Sequence, residues 1–112
     1  LHVCDYHGDY ADLAPYRDYP GHIVNAGLRL RSGRLAPRGI EEMCDRPFLG
    51  GMDRHGVLAG GPPERIRAEV GTVLREAPRR FLLGADCTVP SETPWENLKA
   101  AVDAAHAGAT SA

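Results

Sequence analysis

Four short apolar runs stand apart along the chain: LHVC (1–4), HIVNA (22–26), PFLGGM (47–52) and RFLLGA (80–85). Each is bounded by Gly, Pro, Asp or Arg, and none shows a clear two-residue alternation. That is the pattern of a parallel strand covered on both faces. Between the third and fourth runs the period changes. ERIRAEVGTVLREA places Ile66, Val70, Val73, Leu74 and Ala77 on one stripe at i, i+4, i+7, i+8 and i+11, which predicts an amphipathic helix. Pro63 suits its first turn, and Pro78 stops it.

After the fourth run, TPWE predicts a helix start with Thr93 as N-cap, Pro94 at N1 and Glu96 at N3 closing a capping box. Leu98, Ala101, Val102 and Ala105 form the expected buried face, and Gly108 the expected end. Two weaker segments lie earlier. YADLAPYRDYPG reads as a broken short helix stopped by Pro15 and Pro20, and RLAPRGIEEMCD as a short helix centred near Ile40 to Cys44. The resulting order is β-α-β-α-β-α-β-α. The fold class expected is therefore α/β with a parallel sheet, four βα-units joined by right-handed crossovers.

Composition narrows the setting. At 112 residues the chain holds one core, and with 43% hydrophobic and 25% charged residues it is a globular one. A net charge of -2 speaks against a nucleic-acid surface or a polybasic membrane anchor. No apolar run approaches the roughly 18 residues a membrane helix requires, and the start is not a signal peptide. Three cysteines, an odd number without disulfide-like spacing, fit a reducing cytoplasm. The chain begins inside an apolar stretch without an initiator Met, as a piece of a longer polypeptide would.

Chemistry gathers at one rim of this expected sheet. In βα-units the functional face lies at the C-terminal ends of the strands. His2 and Cys4 are i and i+2 on the first strand, so they share a face close to that end, and Cys87 directly follows the fourth strand. Cys44 precedes the third strand and belongs to the opposite rim. Two thiolates and one neutral imidazole match the ligand count of a catalytic zinc site, three protein ligands plus an open position. They would offset the charge of Zn²⁺ and leave a bound substrate thiolate nucleophilic. The plainer alternative is two ordinary thiols and a surface imidazole.

Three segments carry a family likeness: LHVCD with DYPGHIVNAG, PFLGGMDRHGVLAGGPPERIRAEV, and FLLGADCTVPSETPWENLKAAVDAA. Together they cover nearly the whole chain and resemble the C-terminal half of the uroporphyrinogen decarboxylase superfamily. The resemblance implies the last four βα-units of a (β/α)₈ TIM barrel. His2, Cys4 and Cys87 match, residue by residue, the H-x-C pair and later cysteine that hold zinc in its corrinoid-linked methyltransferase branch. For that branch the resemblance implies a metal-activated thiol that takes a methyl group from a methyl-corrinoid carried by a partner protein. The chain departs from the pattern at Asp5, where a glycine often follows H-x-C. It departs again at NAG (25–27), where many relatives carry Asn-Trp or Asp-Trp.

Two other readings stand beside it: a metal-independent porphyrinogen decarboxylase of tetrapyrrole biosynthesis, and a non-catalytic half-barrel acting as an oligomerisation or interaction module. Four parallel strands leave two open edges and an inner face expected to be apolar. The N-terminal half of a barrel or a second copy of the chain would cover them. Asn25 and Asp53, at the ends of the second and third strands, are candidates to face substrate. Asp53 has the alternative of capping the next turn. Asp5 and His7 are candidates to orient His2, or solvated loop residues. The glycine pairs at 50–51 and 60–61 lack the G-x-G-x-x-G spacing of a phosphate loop.

Overall fold

Each of the four apolar runs contains a strand of one parallel sheet. In the computed structural model, which describes residues 1–6 and 8–111, these are β1 (His2–Val3) and β2 (Val24–Ala26), followed in the sheet by the later runs. A 3-10 turn, Ala14–Tyr16, replaces the expected short helix between β1 and β2. Its first N–H is capped by the Asp12 carboxylate, which accepts from Ala14 at 3.0 Å. After β2 come a two-stranded antiparallel ribbon, β3 (Arg29–Leu30) and β4 (Gly33–Arg34), and then helix α1 (Pro37–Cys44). Strand β5 (Phe48–Met52), the one-turn helix α2 (Val57–Gly60), α3 (Pro63–Glu76), β6 (Phe81–Ala85) and α4 (Trp95–Ser111) complete the chain. Among the described residues no helix is long and apolar enough to cross a membrane.

Strand order is β1-β2-β5-β6, so neighbours in sequence are neighbours in space and every pairing is parallel. The helices cover one face. Met52, Leu58, Ile66, Val70, Val73, Ala100 and Ala101 form a core between β5 and helices α2, α3 and α4. A second core joins Tyr10, Leu13, Val24, Ala26, Ile40 and Phe48 beneath α1. Phe81 packs against both, its ring 6.2 Å from that of Phe48. Ile66, Val70 and Val73 are fully buried, as their helical stripe requires, and each side chain so removed from water contributes about 1.5–3 kcal/mol.

Two helix ends differ from their sequence signals. Helix α4 takes Pro94 rather than Thr93 as its first acceptor: the Pro94 carbonyl accepts from Asn97 at 3.0 Å and from Leu98 at 3.4 Å. The Thr93 hydroxyl is buried without a hydrogen-bond partner, so the capping box does not form. Instead, buried Asn97 pins the first turn by donating to the Leu58 carbonyl at 3.0 Å. Gly108 does not end the helix, which continues to Ser111. It packs closely on α3, where a Cβ would stand 2.5 Å from Leu74 Cδ1 and that side chain would have to turn aside.

The other face of the sheet carries a row rather than a uniform apolar surface. By register, His2 pairs with Asn25, Asn25 with Leu49, and Leu49 with Leu82. The row is polar on β1 and β2 and apolar on β5 and β6. Gly84 makes space within it, because a Cβ there would lie 2.9 Å from Leu49 Cδ2. Leu82 is 43% exposed and Ile23 38%, so part of this face lacks a cover.

Candidate metal centre

Strands β1 and β6 are the outer strands of the sheet, separated by β2 and β5. Three strand spacings span about 14 Å in a flat sheet. The side chains at their C-terminal ends nevertheless meet. One donor atom each from His2, Cys4 and Cys87 lies within 4.8 Å of the other two, and the two Sγ atoms are 3.8 Å apart. The segments that follow β1 and β6 therefore bring Cys4 and Cys87 back toward one another, beside His2. His2 and Cys4 are exposed, Cys87 is half-buried, and both cysteines are free thiols. Cys44, in the last turn of α1, takes no part in the cluster.

The sulfur spacing excludes a disulfide and accommodates either a thiol hydrogen bond or a shared metal ion. A disulfide requires about 2.05 Å. Two Zn–S bonds of about 2.3 Å opened to the tetrahedral angle place their sulfurs about 3.8 Å apart. The observed gap equals that tetrahedral edge. Two sulfurs and an imidazole nitrogen thus fit zinc, with a fourth position left for another ligand.

The two thiols are unequal. The backbone N–H of Thr88 pulls the Cys87 thiol below its ordinary value, and burial opposes this. Cys4 is pushed up, first by its hydrogen bond with Cys87 and then by burial.

A guanidinium clasps the strand ends that carry these thiols. Arg54, two residues past β5, reaches Asp5 Oδ1 through Nη2 and Asp86 Oδ2 through Nη1, each at 3.0 Å. Its backbone N–H also donates to Asp86 Oδ1 at 3.0 Å. Asp5 is the residue after Cys4, and Asp86 the residue before Cys87. The side chains are only 14% (Arg54), 22% (Asp5) and 10% (Asp86) exposed. Burial works against the Arg54 charge, but the two carboxylates outweigh it and raise its pKa. Tyr10 braces the same rim: its hydroxyl donates to the Val3 carbonyl and accepts from the Gly27 N–H at 3.3 Å.

The remaining candidates have definite places. Asp5 pairs with Arg54 and not with His2. His7 lies outside the described residues. Asn25 bonds the His2 ring, its Oδ1 2.6 Å from Nδ1, and so stands beside the cluster. Asp53 accepts from Arg29 Nη2 at 2.5 Å and from the His55 N–H at 2.8 Å, which is the turn-capping role. It also borders a cleft of about 460 Å³, together with Tyr6, Gly27, Arg54 and Asp86. None of His2, Cys4 and Cys87 lines that cleft, whereas Asp5, Arg54 and Asp86 all do. Arg54 and Asp86 are the site residues that the sequence pattern did not single out. The available signal was an Asp beside each rim cysteine and an Arg directly after GGMD.

The uroporphyrinogen decarboxylase (URO-D) family profile matches residues 34–108. Cys87 and the clasp residues Arg54 and Asp86 fall within that match, whereas His2, Cys4 and Asn25 precede it. No curated protein matches the chain. Among solved structures, a methyltransferase from Methanosarcina mazei is similar with a TM-score of 0.66 and 22% identity. The likeness covers 87% of this chain and 28% of that one. At this identity it speaks for the fold, a partial barrel of four parallel strands.

Two outcomes follow from the geometry. Arg54→Met leaves one buried and one half-buried carboxylate without their cation and is expected to cost about 1–3 kcal/mol in urea denaturation; a loss under about 0.5 kcal/mol would mean that the clasp bears no weight. In metal-free chain titrated from pH 6 to 10, iodoacetamide is expected to modify Cys87 before Cys4, because a lowered pKa supplies thiolate at lower pH. Peptide mass spectrometry reads the order, and faster modification of Cys4 at neutral pH would contradict it.

Proposed function

The chain belongs to the uroporphyrinogen decarboxylase family, and from that premise we propose that it is the zinc-binding part of a corrinoid-dependent methyltransferase that activates a thiol acceptor. One observation carries the reading: two thiols at a tetrahedral-edge separation of 3.8 Å, with an imidazole donor in the same cluster. Bound there, zinc would supply the positive charge that lowers a substrate thiol's pKa, so that thiolate is available near neutral pH. His2, Cys4 and Cys87 would hold the ion.

This reading calls for partners. The methyl group would arrive on a methyl-corrinoid carried by another protein. The uncovered row from His2 to Leu82 would be closed by the remainder of a barrel or by a second copy of this chain, and activity would require that closure. The chain spans 28% of the length of the methyltransferase it resembles, which accords with a missing complement. Metal-independent porphyrinogen decarboxylation is the competing family activity, and it gives no reason for two thiols and an imidazole to converge.

Metal content separates the two. Chain purified without chelator is expected to carry about one zinc, and Cys4→Ser and Cys87→Ser each to lose most of it. Cys44→Ser, remote from the cluster, is expected to retain it. Atomic absorption on the four proteins gives the answer, and equal zinc in all three variants would remove the assignment.

A further inference from the structure

Asn25 is bonded on three sides, and together those bonds fix which way its amide points. Its Nδ2 lies 2.8 Å from the Leu49 carbonyl on β5 and 3.1 Å from the Ala85 carbonyl on β6. Carbonyls only accept, so both contacts demand the NH₂ end of the amide. The oxygen is thereby turned toward His2, where Oδ1 stands 2.6 Å from Nδ1. An amide oxygen cannot donate, so the proton in that bond belongs to His2 Nδ1. A neutral imidazole with its proton on Nδ1 has its lone pair on Nε2.

We propose that Asn25 is the positioning residue of the metal cluster: it locks His2 in the Nδ1–H tautomer and presents Nε2 as the donor nitrogen. The proposal rests on the zinc reading above and deepens it. The amide acts through His2 and not on any substrate, in contrast to the substrate-facing role its place at a strand end first implies. His2 and Asn25 are direct register partners across β1 and β2, so the contact needs no loop to place it. The same amide grips β6 at Ala85, two residues before Cys87. One side chain therefore sets the imidazole's orientation and ties it to the strand that delivers the second thiol. Without the acceptor the ring would spend part of its time with the proton on Nε2, which would then have no lone pair to offer a metal. Partners of this kind typically change metal affinity 10–100-fold.

A purely structural tie between strands predicts something different, and two substitutions separate the roles. Asn25→Asp keeps an oxygen opposite His2 but loses both amide donors; Asn25→Leu loses everything. Chelator competition with zinc is expected to show Asn25→Leu weaker by about 10–100-fold and Asn25→Asp within about threefold of the wild-type chain. Long-range ¹H–¹⁵N spectra of metal-free chain at pH 8 read the tautomer directly. The wild-type chain and Asn25→Asp are expected to show His2 protonated on Nδ1, and Asn25→Leu a mixture. The wild-type spectrum needs no variant, so the test survives even if Asn25→Leu does not fold. His2 protonated on Nε2 in the wild-type chain would overturn the proposal. So would an equal loss of zinc in Asn25→Asp and Asn25→Leu. A wild-type chain that binds no zinc, yet shows the Nδ1–H tautomer, would instead sink the zinc reading and leave the role of Asn25 toward His2 standing.

Discussion

The pairing of Arg54 with Asp5 and Asp86 is the contact on which the candidate site depends. It joins the C-terminal ends of the two outermost strands through a residue just past the strand β5. Cys4 and Cys87 sit immediately beside the two carboxylates, so anything that spreads the bridge also spreads the thiols. A buried ion triad is seldom worth more to stability than apolar side chains of the same volume, because desolvation consumes most of the attraction. Net stability is therefore a poor explanation for it. Its directional bonds are a better one: two forked contacts and a backbone N–H fix three chain segments relative to one another.

Two features meet at that bridge. One is the converged cluster of His2, Cys4 and Cys87, with Asn25 linking β1, β5 and β6. The other is the polar cleft bordered by Asp53 and Tyr6, which the three bridge residues also line. The cluster and the bridge lie at or just past the C-terminal ends of parallel strands, the usual place for function in such a sheet. The segments that follow β1 and β6 supply the convergence, and Gly84 gives Leu49 the space to lie along the inner row.

Much of this was legible in the sequence, for identifiable reasons. A buried parallel strand needs apolar residues on both faces, so LHVC, HIVNA, PFLGGM and RFLLGA announce themselves. Helix α3 shows a clean stripe ending at Pro78, and its three buried residues follow that stripe. Topology alone separated Cys4 and Cys87 from Cys44. What escaped depends on contacts distant in sequence. The ribbon β3–β4 has no apolar pattern in RLRSGR; Arg34 instead anchors it to α3 through two bonds to Glu76, of 2.7 and 3.1 Å. The start of α4 moved by one residue because buried Asn97 holds that turn from the side, a constraint no local cap signal contains. Arg54 and Asp86 were indistinguishable from other charged residues until the fold buried them together.

The central claim is that His2, Cys4 and Cys87 act as one set of zinc ligands, and it is tested most directly by X-ray absorption at the zinc edge of loaded chain. The account predicts two sulfur scatterers at about 2.3 Å and one imidazole nitrogen at about 2.0–2.1 Å, completed by a single light ligand in the open position. A first shell of nitrogen and oxygen only, with no sulfur, would contradict it.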